Sequence, residues 1–398
     1  MRDKLAVVGL GYVGLPLVSE ALQANFLVNG IDVNINKIND FRSGTINVEG
    51  VNTSIILGAL KDFKFAVTTD FSVVSQADTV VICVPTPLTS DHKPDLSFIE
   101  SAVIQLSAHI QKGVLIILES TVGPGTVRNF VLPLLEKHSS LTKDEFYLVY
   151  SPERIDPLNK FWSIKNTPKL ISGLTFESCN LAKDFYSKFI NEIVICDSLE
   201  VAETAKLLEN SFRFINISFI NEIMTICHKL GIDTEKVIRA ASTKPYGFMP
   251  FYPSLGVGGH CIPVDPIYLA HKAESVGTPS RFITLADTVN REMVDYFVQR
   301  AEQIVGILTK KKILVIGVSY KPNISDIRES ASRLLIAKLR AKGAVVSWHD
   351  DLVVEMDNER STHLSDNFDL VILAIHHDYL DLTKVGSVPI LNTHGSNS

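Results

Sequence analysis

The chain has 398 residues, enough at roughly 150 residues per domain for two to three domains that bury full cores without staples. Lys+Arg 38 against Asp+Glu 44 gives a net charge of −6 with no basic block, which argues against a nucleic-acid backbone as partner. No apolar run approaches the roughly 18 residues that span a bilayer, and five scattered cysteines without CxxC spacing argue against a disulfide framework or a zinc site.

Met1-Arg2-Asp3-Lys4 leads straight into a strand pattern with no signal-peptide architecture, so a cytoplasmic protein with no metal and no membrane partner is expected. In chain order, β-branched apolar runs predict strands at Lys4–Gly9, Leu27–Asp32, Lys64–Thr68, Thr79–Val84, Val114–Glu119 and Phe146–Tyr150. Helical spacing falls between them near Val13–Asn25, Leu96–Gln111 and Thr126–Lys137. Strands that are apolar on both faces read as a parallel sheet covered on both sides, and the βα alternation as a doubly wound α/β domain. The pattern then changes to long helices at Val201–Leu230 and Phe282–Leu308, flanking the Pro- and Gly-rich stretch Thr243–Pro266. A second α/β region follows, with strands at Lys312–Val318, Val345–His349 and Leu370–Ile375 and a helix at Glu329–Ala341; the tail from Thr393 is short and polar. The expected fold is therefore α/β, with two Rossmann-like doubly wound domains joined by a helical central region. The boundaries fall at 1–198, 199–308 and 309–398. The two α/β ends match only in outline, and no periodic repeat is visible.

Gly9-Leu10-Gly11-Tyr12-Val13-Gly14 follows the first strand and opens the first helix. The first Gly permits the tight turn, the second lets the backbone approach a pyrophosphate, and the third lets helix and strand pack closely. Asp32 ends the next strand 18 residues after Gly14, where an acid bonds a ribose 2′-OH and repels a 2′-phosphate, so NAD is favoured over NADP; Lys37 tempers that preference. The plain alternative is a βαβ unit with ordinary turn glycines. Two further strand ends carry ligand-like chemistry: Cys83-Val84-Pro85-Thr86-Pro87, and Glu119-Ser120-Thr121-Val122-Gly123-Pro124-Gly125-Thr126. Thr121 suits a hydrogen bond to a nicotinamide or a reacting hydroxyl. Thr126 reads equally as a helix start, and Cys83 as a buried small hydrophobe.

Glu153 in Ser151-Pro152-Glu153-Arg154 is a candidate general base, or simply the partner of Arg154. Lys206 and Asn210 stand four apart and share one helix face; the plain reading is a solvated lysine. In Gly256-Val257-Gly258-Gly259-His260-Cys261-Ile262-Pro263-Val264-Asp265, glycines clear space beside Cys261, and Asp265 is placed to polarise a water or a lysine. NAD paired with a nucleophilic cysteine suits oxidation of an alcohol to an acid through a thiohemiacetal and a thioester.

The fingerprint, CVPTP, ESTVGPGT, SPER, KLLEN, GVGGHCIPVDP and Gly317-Val318-Ser319-Tyr320-Lys321 with Asp326-Ile327-Arg328-Glu329-Ser330 resemble, in this order, the UDP-glucose/GDP-mannose dehydrogenases over nearly the whole chain. Thr243-Lys244-Pro245-Tyr246-Gly247-Phe248-Met249-Pro250-Phe251-Tyr252-Pro253 resembles the branch acting on UDP-N-acetylglucosamine, and the Arg-Val-Asn-Ile segment of the mannosamine branch is absent. The resemblance implies that Cys261 forms the thioester and that Lys206 and Asn210 stabilise the C6 oxyanion. It implies that Glu153 and Asp265 assist the hydrolytic water and that Thr121 orders it. It places Lys321 near the UDP-sugar, Arg328 near NAD, and the Phe248–Gly259 loop, with Phe251, Tyr252 and Gly258, around the substrate. A homodimer serving surface-polysaccharide synthesis is expected. Departures from the pattern are His349-Asp350-Asp351, Asn392-Thr393-His394, Leu158 after Pro157, and Val48-Glu49-Gly50-Val51. Two other functions compete: a two-electron hydroxyacid or 6-phosphogluconate-like dehydrogenase, which leaves the Cys261 loop idle, and a non-enzymatic NAD-responsive binding protein.

Overall fold

The computed structural model describes residues 3–46, 51–156, 159, 161–259 and 261–394; Val48–Gly50, Pro157, Leu158 and His260 lie outside them. The chain forms two compact units, Met1–Leu208 and Glu209–Ser398.

The first unit is a doubly wound α/β domain. Its strands are β1 (Lys4–Val8), β2 (Leu27–Ile31), β3 (Phe65–Thr68), β4 (Thr79–Ile82), β5 (Leu115–Leu118), β6 (Tyr147–Tyr150), β7 (Lys169–Gly173) and β8 (Ile193–Ile195). Its helices are α1 (Gly14–Gln23), α2 (Ile35–Ser43), α3 (Thr53–Lys61), α4 (Ser97–Ser107), α5 (Leu132–His138) and α6 (Phe176–Tyr186). All six strands expected from the apolar runs form, each trimmed by a residue or two. The sheet runs β3-β2-β1-β4-β5-β6-β7-β8, so chain order reverses between β1 and β4, the kind of switch point that opens a crevice at the carboxyl ends of the strands. Burial of both faces explains the unbroken apolar strands: Leu5 and Val7 point into one core layer, Ala6 and Val8 into the other.

Three features went unread in the sequence. β7 pairs antiparallel with β6: none of the described residues between the two strands is helical, and the chain returns along the edge it left. That turn brings Lys169, the first residue of β7, to the carboxyl edge of β6. The second is a π-helical turn, Val127–Val131, in place of a uniform helix from Thr126. Pro133 cannot donate to the Asn129 carbonyl and its ring crowds it, so the turn widens before α5 begins. The third is α6 with β8, whose mixed composition hides the crossover.

Helix α7 (Leu199–Leu230) runs through the point of division. The second unit continues with α8 (Thr234–Ala241), the Thr243–Val264 loop, α9 (Asp265–Ser275) and α10 (Arg281–Val305). A parallel sheet ordered β10-β9-β13-β14 follows, built from β9 (Lys312–Ile316), β10 (Val345–His349), β13 (Leu370–Leu373) and β14 (Ile390–Asn392), with α11 (Ala331–Ala341) packed against it. A hairpin of β11 (Glu355–Met356) and β12 (Glu359–Arg360) turns through Asp357 and Asn358, both at positive φ as the tight hairpin turn requires. Among the described residues no helix is long and apolar enough to cross a membrane.

Candidate functional site

In the first unit, every strand-end residue singled out above lies at the carboxyl edge of the sheet. Gly9 follows β1, Asp32 follows β2, Pro85 and Thr86 follow β4, Thr121 follows β5 and Glu153 follows β6. The three fingerprint glycines divide by cause. A Cβ on Gly9, at φ +95, would lie 2.6 Å from the Cys83 carbonyl oxygen, and one on Gly14 would lie 1.9 Å from the Gly9 carbonyl oxygen. Both are glycine because protein backbone occupies the space. A Cβ on Gly11 meets nothing within 4 Å, so internal packing does not demand glycine there, and an approaching ligand is the remaining reason. Helix α1 starts without a side-chain cap; Leu15 N donates to the Gly11 carbonyl at 3.0 Å and Pro16 has no N–H, so within its first three residues Gly14 N is the donor that an anion could meet.

Asp32 is buried at the turn's mouth. Its carboxylate accepts from Leu10 N (3.1 Å), Asn34 N (3.0 Å) and Lys37 Nζ (2.7 Å). Lys37 therefore partners the acid, and Tyr12, partly exposed, and Val13 complete the turn. These features fit the pyrophosphate and ribose of NAD.

Glu153 is not paired with the Arg154 side chain, which donates to the Pro168 carbonyl (2.8 Å). Its Oε1 accepts the backbone N–H of Arg154 and of Ile155, each at 2.7 Å, and its Oε2 meets Lys169 Nζ at 3.1 Å. Burial pushes the carboxyl up, but the Lys169 charge and the two N–H groups outweigh it and hold Glu153 below its ordinary value.

Lys206 on α7 is only 8% exposed, so it is not a solvated helix lysine. One turn before it, fully buried Glu203 accepts from Gly125 N (2.6 Å) and Val127 N (2.8 Å), and Arg128 pairs with Glu200 at 2.6 Å. These bonds fasten the first turns of α7 to the helix start that follows Thr121. Burial carries the Glu203 carboxyl up to about 7 despite both N–H bonds. Sequence reasoning passed over Glu203; its one signal was a lone acid inside an apolar helix face.

In the second unit, Asn210 donates to Asp265 Oδ2 at 2.5 Å, and Asp265 is buried at the first position of α9. Cys261 lies one turn earlier, its carbonyl accepting from Asp265 N at 2.8 Å, with its side chain exposed. The start of a helix is a setting that favours an anion. Two of the glycines before Cys261 have a packing cause that their spacing did not suggest. A Cβ on Gly258 would lie 2.6 Å from the Glu329 carbonyl, and one on Gly259 2.8 Å from the Tyr320 ring, so they let the loop pack against the segment after β9. Asn290 and Asn221 pin the same loop by accepting from Val257 N (2.6 Å) and Ser254 N (2.9 Å). Phe251 packs on Phe212 with ring centroids 5.9 Å apart, and Tyr252 is 58% exposed. Arg328 makes a bidentate pair with Asp326, while Lys321 lies in the turn after Ser319, whose hydroxyl donates to the Lys321 carbonyl (2.9 Å).

The two sheets share a device that the sequence hid. Gly317 follows β9 at φ +83 beside the Ile375 carbonyl, and Asp350 after β10 accepts from Val318 N at 2.9 Å, as Asp32 does from Leu10 N. In the second unit, however, His377 Nε2 lies 3.1 Å from Asp350, and both are buried. Within the His349-Asp350-Asp351 stretch, Asp350 is thus held in a structural pairing.

The sequence profile of the UDP-glucose/GDP-mannose dehydrogenase family matches in three parts: its NAD binding domain over residues 3–190, its central domain over 200–292 and its UDP binding domain over 314–389. The chain is 34% identical over 391 residues to a UDP-N-acetyl-D-glucosamine 6-dehydrogenase of Salmonella typhi, covering 94% of this chain and 90% of that protein. It is 32% identical over 392 residues to a UDP-N-acetyl-D-mannosamine dehydrogenase of Methanococcus maripaludis, covering 96% and 88%. The structure of a UDP-D-ManNAc dehydrogenase from Pyrococcus horikoshii superposes with a TM-score of 0.89 at 28% identity, covering 98% of this chain and 95% of that one.

Proposed function

The chain belongs to the UDP-glucose/GDP-mannose dehydrogenase family of NAD-dependent nucleotide-sugar dehydrogenases, and from that premise we propose that it oxidises the C6 hydroxyl of UDP-N-acetylglucosamine to the uronic acid. The observation that carries the reading is Cys261, exposed at the start of α9 one turn from an Asp265–Asn210 pair. A two-electron alcohol dehydrogenase has no use for such a thiol.

Bound NAD supplies the hydride acceptor, once for each two-electron oxidation. Gly11, the uncapped start of α1 and Asp32 hold it, with Pro85, Thr86 and Thr121 at the neighbouring strand ends. Lys206 and Asn210 stabilise negative charge on the C6 oxygen, the preorganised electrostatics that often contribute most to a barrier. Cys261 Sγ adds to the C6 aldehyde carbon, the carbonyl oxygen taking a proton, to form a thiohemiacetal; loss of its C6 hydride to a second NAD and of its hydroxyl proton to water would leave a thioester. Water then attacks the carbonyl, the C–S bond breaks and the thiol is restored. Glu153 and Asp265 orient that water, and Thr121 shares the task. The resemblance assigns Lys321, Phe251, Tyr252 and Gly258 to the UDP-sugar and Arg328 to NAD. Exposed Phe219, Ile226, Phe282 and Leu285 on α7 and α10 support a homodimer.

The Thr243–Pro253 stretch supports the gluco epimer. The manno epimer is the second reading, supported by the relatives named for it. A panel of UDP-glucose and the N-acetylated gluco, galacto and manno UDP-sugars separates them. The expected result is two NADH per UDP-N-acetylglucosamine and the highest kcat/KM for it; preference for another sugar rejects the assignment, and one NADH per sugar rejects the thioester route.

Asp32→Asn should raise the KM for NAD about tenfold with little change in kcat, since it removes roughly one charge-assisted bond to the ribose. It should also narrow the gap between NAD and NADP. An unchanged cofactor ratio in steady-state kinetics would show that Asp32 does not read the ribose.

A further inference from the structure

Behind Glu153 lies a buried charge cluster that none of the roles above uses. Lys169 Nζ sits 3.1 Å from Glu153 Oε2 and 3.0 Å from Glu119 Oε1, and the Tyr186 hydroxyl donates to the same Glu119 oxygen. The Lys169 and Glu119 side chains are 5% and 0% exposed, and Lys169 Nζ also stands 5.3 Å from the Tyr186 ring centre. One ammonium cannot neutralise two carboxylates, and buried like charges this close do not both ionise readily. The bonding decides which one stays charged. Glu153 has both oxygens engaged, by two backbone N–H groups and the ammonium, whereas Glu119 Oε2 is buried without a hydrogen-bond partner.

We propose that Lys169 is a positioning residue that holds Glu153 as a permanently ionised, oriented carboxylate, with a neutral Glu119 and Tyr186 bracing Lys169 from the far side. This rests on the role of Glu153 proposed above and deepens it: Glu153 acts as a fixed anion that orders the hydrolytic water, not as the base that takes its proton. Burial, with the Glu153 charge, pushes the Glu119 carboxyl up against the pull of Lys169 and Tyr186, in the direction of the neutral form. The other titratable groups against the cluster are Cys83 just after β4, a thiol that burial pushes well up, and Arg154, whose guanidinium is turned to the Pro168 carbonyl.

The test compares acid limbs of the kcat profile with UDP-N-acetylglucosamine and NAD. Lys169→Met alone would strand two buried carboxylates, so it is paired with Glu119→Gln. In the double variant the acid limb should move up by about one pH unit or more, the effect of losing an adjacent opposite charge, with the KM for the sugar little changed. Glu119→Gln alone reproduces the neutral acid and should leave the limb where it is. A folded double variant with an unmoved limb overturns the inference. If the double variant does not fold, Glu119→Gln decides: a displaced limb overturns the inference and an unmoved one supports it. A wild type that yields no NADH from any UDP-sugar overturns the proposed reaction and this inference with it. A working wild type with an unmoved limb in the double variant overturns this inference alone.

Discussion

Cys261→Ala should lower conversion of UDP-N-acetylglucosamine to the acid by on the order of 10⁴-fold, as removal of a covalent nucleophile does. Without the sulfur, the aldehyde has no covalent anchor, and no thioester forms to be hydrolysed. NADH release in a single-turnover experiment should therefore stop at one equivalent per sugar. Cys261 is exposed, so the substitution touches no core and the thermal midpoint should stay in place, within about 0.5 kcal/mol of wild-type stability. Serine at this position keeps the size but supplies a far weaker nucleophile, and should behave like alanine. Two NADH per sugar at a rate within tenfold of wild type would remove the thiol from the mechanism and return the two-electron dehydrogenase to first place.

The second large effect separates two glycines of one motif. Gly14→Ala drives a methyl to 1.9 Å from the Gly9 carbonyl oxygen, a backbone atom that cannot step aside. The strand-to-helix turn must open, at a cost on the order of 1–3 kcal/mol of stability, and NAD binding should be lost along with the turn. Gly11→Val meets no protein atom within 4 Å of its Cβ, so folding should be nearly unaffected. If the space is kept for the pyrophosphate, NAD affinity should still fall about 100-fold or more, since a side chain then occupies the ligand's approach. Thermal melts and NAD titrations of both variants read this directly. Wild-type affinity in Gly11→Val would mean that the turn holds no dinucleotide.

The glycine result shows where local pattern carries far and where it stops. Tight-turn glycines after an apolar run and before a helical one are a local statement, and the carboxylate after β2 is another. Both were legible, as were the core strands, because a strand buried on two faces must be apolar throughout. The glycines before Cys261 carry a packing demand that their spacing did not show. Spacing showed that side chains were absent, and the segment after β9 that required their absence lies some sixty residues further on.

The Glu153 site makes the same point with charges. Its catalytic candidacy was visible at a strand end, but its anchor, Lys169, starts a strand whose antiparallel return could not be read from a short, polar-ended run. Tyr186, 67 residues from Glu119, was unremarkable by itself.

The sequence by itself determined the α/β class and the glycine turn with its acid, and it singled out the thiol on which the proposed reaction rests. Each of these is a demand made within one βα unit or one loop, where period and turn chemistry leave little choice. Only the tertiary structure decided that Lys206 is buried, that Glu203 fastens α7, that Asp350 is paired with His377, and that Lys169 meets both Glu153 and Glu119. Strand order and chain return set those distances, and the strength of a buried charge depends on what stands within a few ångströms of it, not on its neighbours along the chain.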